Sequence, residues 1–209
     1  MEQHLGLRSP HWHPIFPPQA TSAEHPPSCS IILVNAKIPS DSYTQILVNC
    51  LDITAININS NYAPFSLFNI YNPPSSNSTL ISLASYFHSN PLNCPLVMLG
   101  DFNKHHALWA GPLEPTRTNA SDSESLLALL AKLHMDLCTP PGQKTFFSEA
   151  HKTWSTLNLV FSSESLTDLF TRCDTAPGHG SNHMAIQITI DTTLSEVEDE
   201  PRHQFCKVD

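Results

Sequence analysis

Pro95-Leu96-Val97-Met98-Leu99-Gly100-Asp101-Phe102-Asn103-Lys104-His105-His106-Ala107-Leu108-Trp109 is the stretch that decides the fold. Its first half is a short, continuous apolar run, the pattern of a strand covered on both faces. The run stops at Gly100, and Asp101 and Asn103 follow at alternate positions. If the strand continues, alternate side chains point the same way, so the carboxylate and the amide face one pocket. A carboxylate at the mouth of a buried strand is costly unless a metal, an activated water or a donor meets it. A strand end closed by an Asx turn accounts for Gly-Asp-Phe-Asn equally well. Those four residues alone decide nothing.

Upstream, residues 1–28 are rich in Pro and His and cannot form a regular helix. In His11-Trp12-His13 the two histidines flank a tryptophan without further ligands nearby, so the Trp reads as a docked anchor and not as part of a zinc site. From Ser30 the pattern turns to β. Strands are predicted at Ile31–Val34 and Ile46–Val48, from Ile53 to Ile58, and from Ser66 to Tyr71. The Pro73-Pro74-Ser75-Ser76-Asn77 loop delivers Ser78 as N-cap of a helix through His88.

Downstream, Ser121 or Asp122 caps the clearest helix, over 122–134. Its Leu126, Leu127, Leu129, Leu130 and Leu133 form an apolar stripe that reads as core packing. Short β segments follow at Asp136–Cys138, Thr145–Phe147 and Thr153–Phe161, with a short helix from Ser163 and a closing strand at Met184–Ile190. The expected division is a Pro/His-rich segment at 1–28, one folded domain at 29–191 and an acidic, disordered tail at 192–209. Strand runs broken by helices, with polar residues at strand ends, fit an α/β sandwich of two packed sheets with helices outside.

The formal net charge is −9, and the stretch from Asp191 to the end, with six acids and two bases, accounts for fewer than half of those charges. Ten Lys and Arg scattered over the chain form no basic cluster of the kind that grips phosphates, which counts against strong nucleic-acid affinity. The six cysteines are far apart and sit mostly in apolar surroundings, so buried reduced thiols are expected. With no membrane-length apolar run and a polar beginning, the expected setting is intracellular, cytoplasmic or nuclear.

Four ordered motifs carry a resemblance. Gly100-Asp101-Phe102-Asn103-Lys104-His105-His106-Ala107-Leu108-Trp109-Ala110-Gly111 resembles the G-D-F-N-x-H-H-x-x-W-G-G segment of the endonuclease/exonuclease/phosphatase superfamily. Phe68-Asn69-Ile70-Tyr71-Asn72-Pro73-Pro74 is similar to that family's strand ending in Tyr and a Pro-rich turn. Thr153-Trp154 through Asn158-Leu159-Val160-Phe161 resembles its T-W…I-D-L-V-F strand, and Gly180-Ser181-Asn182-His183 its terminal S-D-H. The nearest likeness is to the endonuclease domains of non-LTR retrotransposons. The resemblance implies a DNase I-like sandwich and Mg²⁺-dependent phosphoester hydrolysis, nominally on DNA. It further implies that Asp101 orients or deprotonates the attacking water and that Asn103 holds it and a phosphate oxygen. Tyr71 would donate to the phosphate, and His183 would stabilise its developing charge.

Three departures temper those expectations. The aspartate of S-D-H is Asn182, and that of I-D-L-V-F is Asn158. An amide keeps an acceptor oxygen but loses the charge that favours imidazolium at His183. The family's two earliest site residues, an Asn on a first strand and a metal-binding Glu, have no counterpart, so a copy lacking its first strands is expected. Asp101 then remains the one anionic metal ligand, with weak Mg²⁺ binding and impaired catalysis. The alternative is a non-catalytic transposon-derived remnant or binding module. A zinc site from His105, His106, His179 and His183 matches no usual spacing.

Overall fold

A computed structural model of the chain describes residues 9–21, 28–60, 64–111, 120–176 and 180–192. Its strands, in chain order, are β1 (Trp12–Ile15), β2 (Ile32–Asn35), β3 (Tyr43–Ile46), β4 (Ile53–Ile58), β5 (Phe65–Tyr71), β6 (Leu96–Asp101), β7 (Met135–Leu137), β8 (Phe146–Ser148), β9 (Thr153–Ser155), β10 (Asn158–Ser163), β11 (Phe170–Thr175) and β12 (Ile186–Ile190). The helices are α1 (Ser78–Ser89), α2 (Ala107–Ala110), α3 (Ala120–Leu133) and α4 (Glu164–Thr167).

Six strands form one sheet in the order β3-β4-β5-β6-β10-β7. The β5/β6 pair is parallel, and its neighbours on either side are antiparallel. A parallel pair needs a crossover, and α1 supplies it. The apolar run read first in the sequence is β6, near the middle of this sheet, with Leu96, Val97 and Met98 fully buried. On one face Ile53, Phe68, Ile70, Met98, Leu159 and Phe161 pack beneath α1 and α3, meeting Leu80, Leu83, Leu126, Leu129 and Leu130. Trp109 and Phe102 close that core below the β6 turn, with Phe102 edge-on to Phe161 at 5.3 Å between ring centroids.

The other face carries two-stranded ribbons and, from the short α4, only Leu166. β1–β2 places Ile15 and Val34 on Ile56, while β11–β12 lays Cys173, Ile186, Ile188 and Ile190 over Val97 and Val160. The β8–β9 hairpin joins the β12 side through a bridge between Phe146 and His183. Among the described residues no helix is long and apolar enough to cross a membrane.

Gly100 needs to be glycine. It has φ of +140°, and a Cβ there would stand 1.9 Å from the Ile70 carbonyl oxygen on neighbouring β5. The close approach lets the parallel pair stay in register up to Tyr71 and Asp101.

Several sequence expectations change. Trp12 lies in a strand, since β1 pairs with β2, and faces outward at 43% exposure; it is not docked. The closing strand β12 pairs with β11 as a ribbon, outside the six-stranded sheet. α1 has Asn77 at its N-cap without a side-chain cap bond, and Ser78 is its first residue. α3 begins at Ala120, so Ser121 and Asp122 are inside its first turn. Cys29 is exposed, not buried; Cys50, Cys94, Cys138 and Cys173 are half-buried free thiols, with burial pushing the Cys173 thiol up to about 11. The residues of the expected tail from 193 onward, and His179, lie outside the described residues.

Candidate active site

Register places the polar residues. Tyr71 on β5 is opposite Asp101 on β6, and Asp101 is opposite Asn158 on β10. Directly paired residues share a face, so the three stand in a row at one end of the ribbon-side face. Parallel strands β5 and β6 end together there, and antiparallel β10 begins there. Below the row lies a cavity of about 250 Å³ with Leu99, Val160, Ile186 and Ile188 in its lining and Asp101, Asn158 and His183 at its polar part.

The strand ends at Asp101. Asn103 turns into the left-handed region at φ of 49°, the conformation asparagine tolerates best after glycine. Its backbone N–H donates to Asp101 Oδ1 at 3.2 Å, and its side-chain Nδ2 donates to Asp101 Oδ2 at 2.8 Å. The Asx turn and the shared pocket, alternatives in the sequence, are therefore one structure. Phe102 between them points into the helical core.

His183 arrives from the ribbon side. Its Nδ1 is 3.0 Å from Asn158 Oδ1, and its Nε2 is 4.0 Å from Asp101 Oδ2. Asn158 Nδ2 donates to the Met184 carbonyl at 3.0 Å. A carbonyl only accepts, so the amide must turn its NH₂ toward Met184 and its oxygen toward the ring. The proton between Asn158 and His183 consequently sits on Nδ1, and Nε2 is the nitrogen that faces Asp101. At 4.0 Å that pair makes no direct hydrogen bond.

Thr145 anchors this corner. Fully buried, its Oγ1 accepts from the N–H groups of Leu157 and Asn158 at 2.8 and 3.0 Å, while its carbonyl accepts from Met184 N–H at 2.8 Å. Phe146 stacks against His183 with centroids 4.7 Å apart. Thr145 and Asn72, the buried residue after Tyr71, were not singled out in the sequence. An isolated Thr before two Phe carries no signal, and Asn72 shows only a polar residue before Pro-Pro.

Burial raises the Asp101 carboxyl above its ordinary value, and His183 and the two Asn103 hydrogen bonds pull back against it. Burial also raises the Tyr71 phenol, assisted by Cys29, Asp101 and Asp52. Asp52 is an acid near the site that the sequence did not suggest; it accepts from Thr79 Oγ1 at 3.4 Å.

Asn182 stays outside the row: it is exposed, and its carbonyl accepts from Phe147 N–H at 2.8 Å. His105 is exposed. His106 Nδ1 accepts from Leu108 N–H, capping α2. Among the described residues, no three His, Cys, Asp or Glu side chains gather as a metal-binding group. Asp101 is the one carboxylate in the row, and both its oxygens already accept from Asn103. Mg²⁺ wants several hard oxygen ligands in octahedral array, so this donor set does not fit a protein-held ion.

The helix-covered mixed sheet with strands packed on its other face is the architecture of DNase I-like proteins. The family model described as endonuclease-reverse transcriptase matches residues 65–187, more than half of the chain, and the chain belongs to that family. Among solved structures, the endonuclease domain of TRAS1, a telomere-specific non-LTR retrotransposon, superposes with a TM-score of 0.63 at 17% identity. That match covers 77% of this chain and 72% of that one. An AP endonuclease, LMAP from Leishmania major, superposes with a TM-score of 0.53 at 14% identity, over 66% of this chain and 54% of that one. At such identities the likeness is one of fold. No curated protein matches the chain significantly.

Proposed function

We propose that this chain is an endonuclease-like phosphodiesterase domain of retrotransposon type, nominally directed at DNA, whose turnover is impaired. The observation that carries the reading is the row Tyr71, Asp101, Asn158 with His183 above it, holding a single carboxylate. Tyr71 supplies an O–H donor for a phosphate oxygen. Asp101 and His183 Nε2 stand far enough apart for one water to lie within hydrogen-bonding distance of both. Asp101 accepts a proton of that water, and a protonated His183 offsets the charge developing on phosphorus.

The weak point is the missing second carboxylate. A dication at this end would meet one buried carboxylate already bonded by Asn103, so Mg²⁺ binding is expected to be weak. Asn158 keeps His183 in place through an acceptor oxygen but adds no charge to hold it protonated. The same observation favours a second reading, a non-catalytic binding module.

Plasmid nicking with Mg²⁺ tests both. The unmodified chain is expected to nick at or near background, and Asn158→Asp with Asn182→Asp together to nick weakly at best. EDTA-sensitive nicking by the unmodified chain, abolished in Asp101→Ala, would overturn the impairment. A DNA-binding signal without nicking in either protein would favour the binding module.

A further inference from the structure

We propose that Asn72 is the positioning residue of this site, tying Tyr71, Asp101 and Asn103 into one unit. Its functional meaning rests on the hydrolase reading above; its content rests on geometry. Asn72 follows Tyr71 directly and is fully buried. Its peptide N–H donates to the Asp101 carbonyl at 2.8 Å, and its carbonyl accepts from Asn103 Nδ2 at 3.1 Å. Its own Nδ2 donates to the carbonyls of Phe102, Ser76 and Pro73 at 3.1, 3.2 and 3.3 Å. One residue thus contacts the main chain of Asp101 and of Phe102, the side chain of Asn103 and the proline turn.

The consequence reaches Asn103. Its side-chain amide has two hydrogens, one taken by Asn72 O and the other by Asp101 Oδ2. Only its oxygen is left to offer, so Asn103 can accept from a water but has no hydrogen for a phosphate oxygen. The resemblance assigns it both tasks; Asn72 removes one. Phosphate contacts from this part of the site then fall to Tyr71 and His183.

Two further observations separate this from ordinary turn stabilisation. Asn72 Oδ1 is buried without a hydrogen-bond partner among the described residues, a cost that a residue chosen for stability alone would avoid. The end of β6 and the turn after it contain the positive φ angles of Gly100 and Asn103, and such local departures persist where surrounding contacts over-determine them. A turn needs the bond to Ser76; it does not need those to Phe102 and Asn103.

The test is ¹⁵N NMR on the full chain, with Asn103→Ser used to assign the Asn103 side-chain amide. In the unmodified protein that amide is expected to exchange with water at least about tenfold more slowly than exposed asparagines. Asn72→Asp preserves the shape and removes the donors; Asn72→Ser avoids burying a charge. The bond from Asn103 goes to the main-chain carbonyl of residue 72, which both variants keep, but the Nδ2 bonds that fix that carbonyl are gone, so either folded variant should lose the Asn103 protection while the backbone amides of β4 and α3 keep theirs. Retained Asn103 protection in a folded variant overturns the proposal. Loss of β4 and α3 protection in both variants also overturns it, because Asn72 would then be a general fold residue. Failure of the hydrolase reading looks different: the unmodified chain and the Asn158→Asp, Asn182→Asp double variant both bind DNA and neither nicks it, yet the Asn103 signature and its dependence on Asn72 persist.

Discussion

The two faces of the six-stranded sheet are built from alternate residues of the same strands, yet they are sealed to different degrees. On the helical face Ile53, Phe68, Met98, Leu159 and Phe161, with Leu83 and Leu126 above them, are all at most 1% exposed. On the ribbon face Leu67, Leu99, Ile186 and Ile188 are only half-buried, and a cavity of about 250 Å³ remains. The difference is geometric. α1 and α3 each lay a stripe across several strands, whereas a two-stranded ribbon covers little more than its own width. The candidate site opens at the end of the less sealed face. Asp101 keeps 18% of its side chain exposed there, while enough apolar surface remains to raise its carboxyl.

The sharpest way to break this contrast is at the glycine both faces share. Gly100→Ala puts a methyl group against β5 backbone and forces the β5/β6 pair apart, and it is expected to cost about 4 kcal/mol or more. Chemical denaturation reads the loss, and a near-native midpoint would mean the strands can separate cheaply. Next comes Leu126→Ala, expected to cost about 2–5 kcal/mol for its fully buried side chain. Ile188→Ala, half-buried beside the cavity, should cost roughly 1–2 kcal/mol. Equal shifts for these two variants would erase the difference between the faces.

The smallest effect is electrostatic. Because folding raises the Asp101 pKa, the folded state binds that proton more tightly than the unfolded state. The associated stabilisation is fully present below the unfolded pKa and is lost as pH rises through the folded one. Replacing Asp101 by Asn removes this titration. The difference in melting temperature, Asp101→Asn minus unmodified, should therefore become more positive as pH rises from acid toward neutrality, whatever its constant offset. A flat difference would mean that the ribbon face does not desolvate the carboxyl.

What could be read in advance follows from period and local chemistry. The apolar run of β6, the Leu stripe of α3 and the strand ending at Tyr71 are local patterns whose burial needs no distant partner to be named. β1 escaped because its proline and histidine hide a strand; pairing with β2, about 20 residues on, made it one. Asp52 and Asn72 escaped for a related reason. A carboxylate in a turn and an amide before two prolines acquire meaning only from what folds against them.

The order of the motifs by itself carried the likeness to the family, and the alternation of apolar and polar residues told which face of its strand each of Tyr71, Asp101 and Asn158 takes, but not that Asn182 would stay outside their row. Tertiary structure decided their states. Asn158 faces His183 with its oxygen because the Met184 carbonyl, from another strand connection, claims its NH₂. Asn103 has no free hydrogen because Asn72, 31 residues earlier, takes one. Hydrogen-bond donors are counted in space and not along the chain, so which donors and acceptors remain for a substrate is settled only after the strands are side by side.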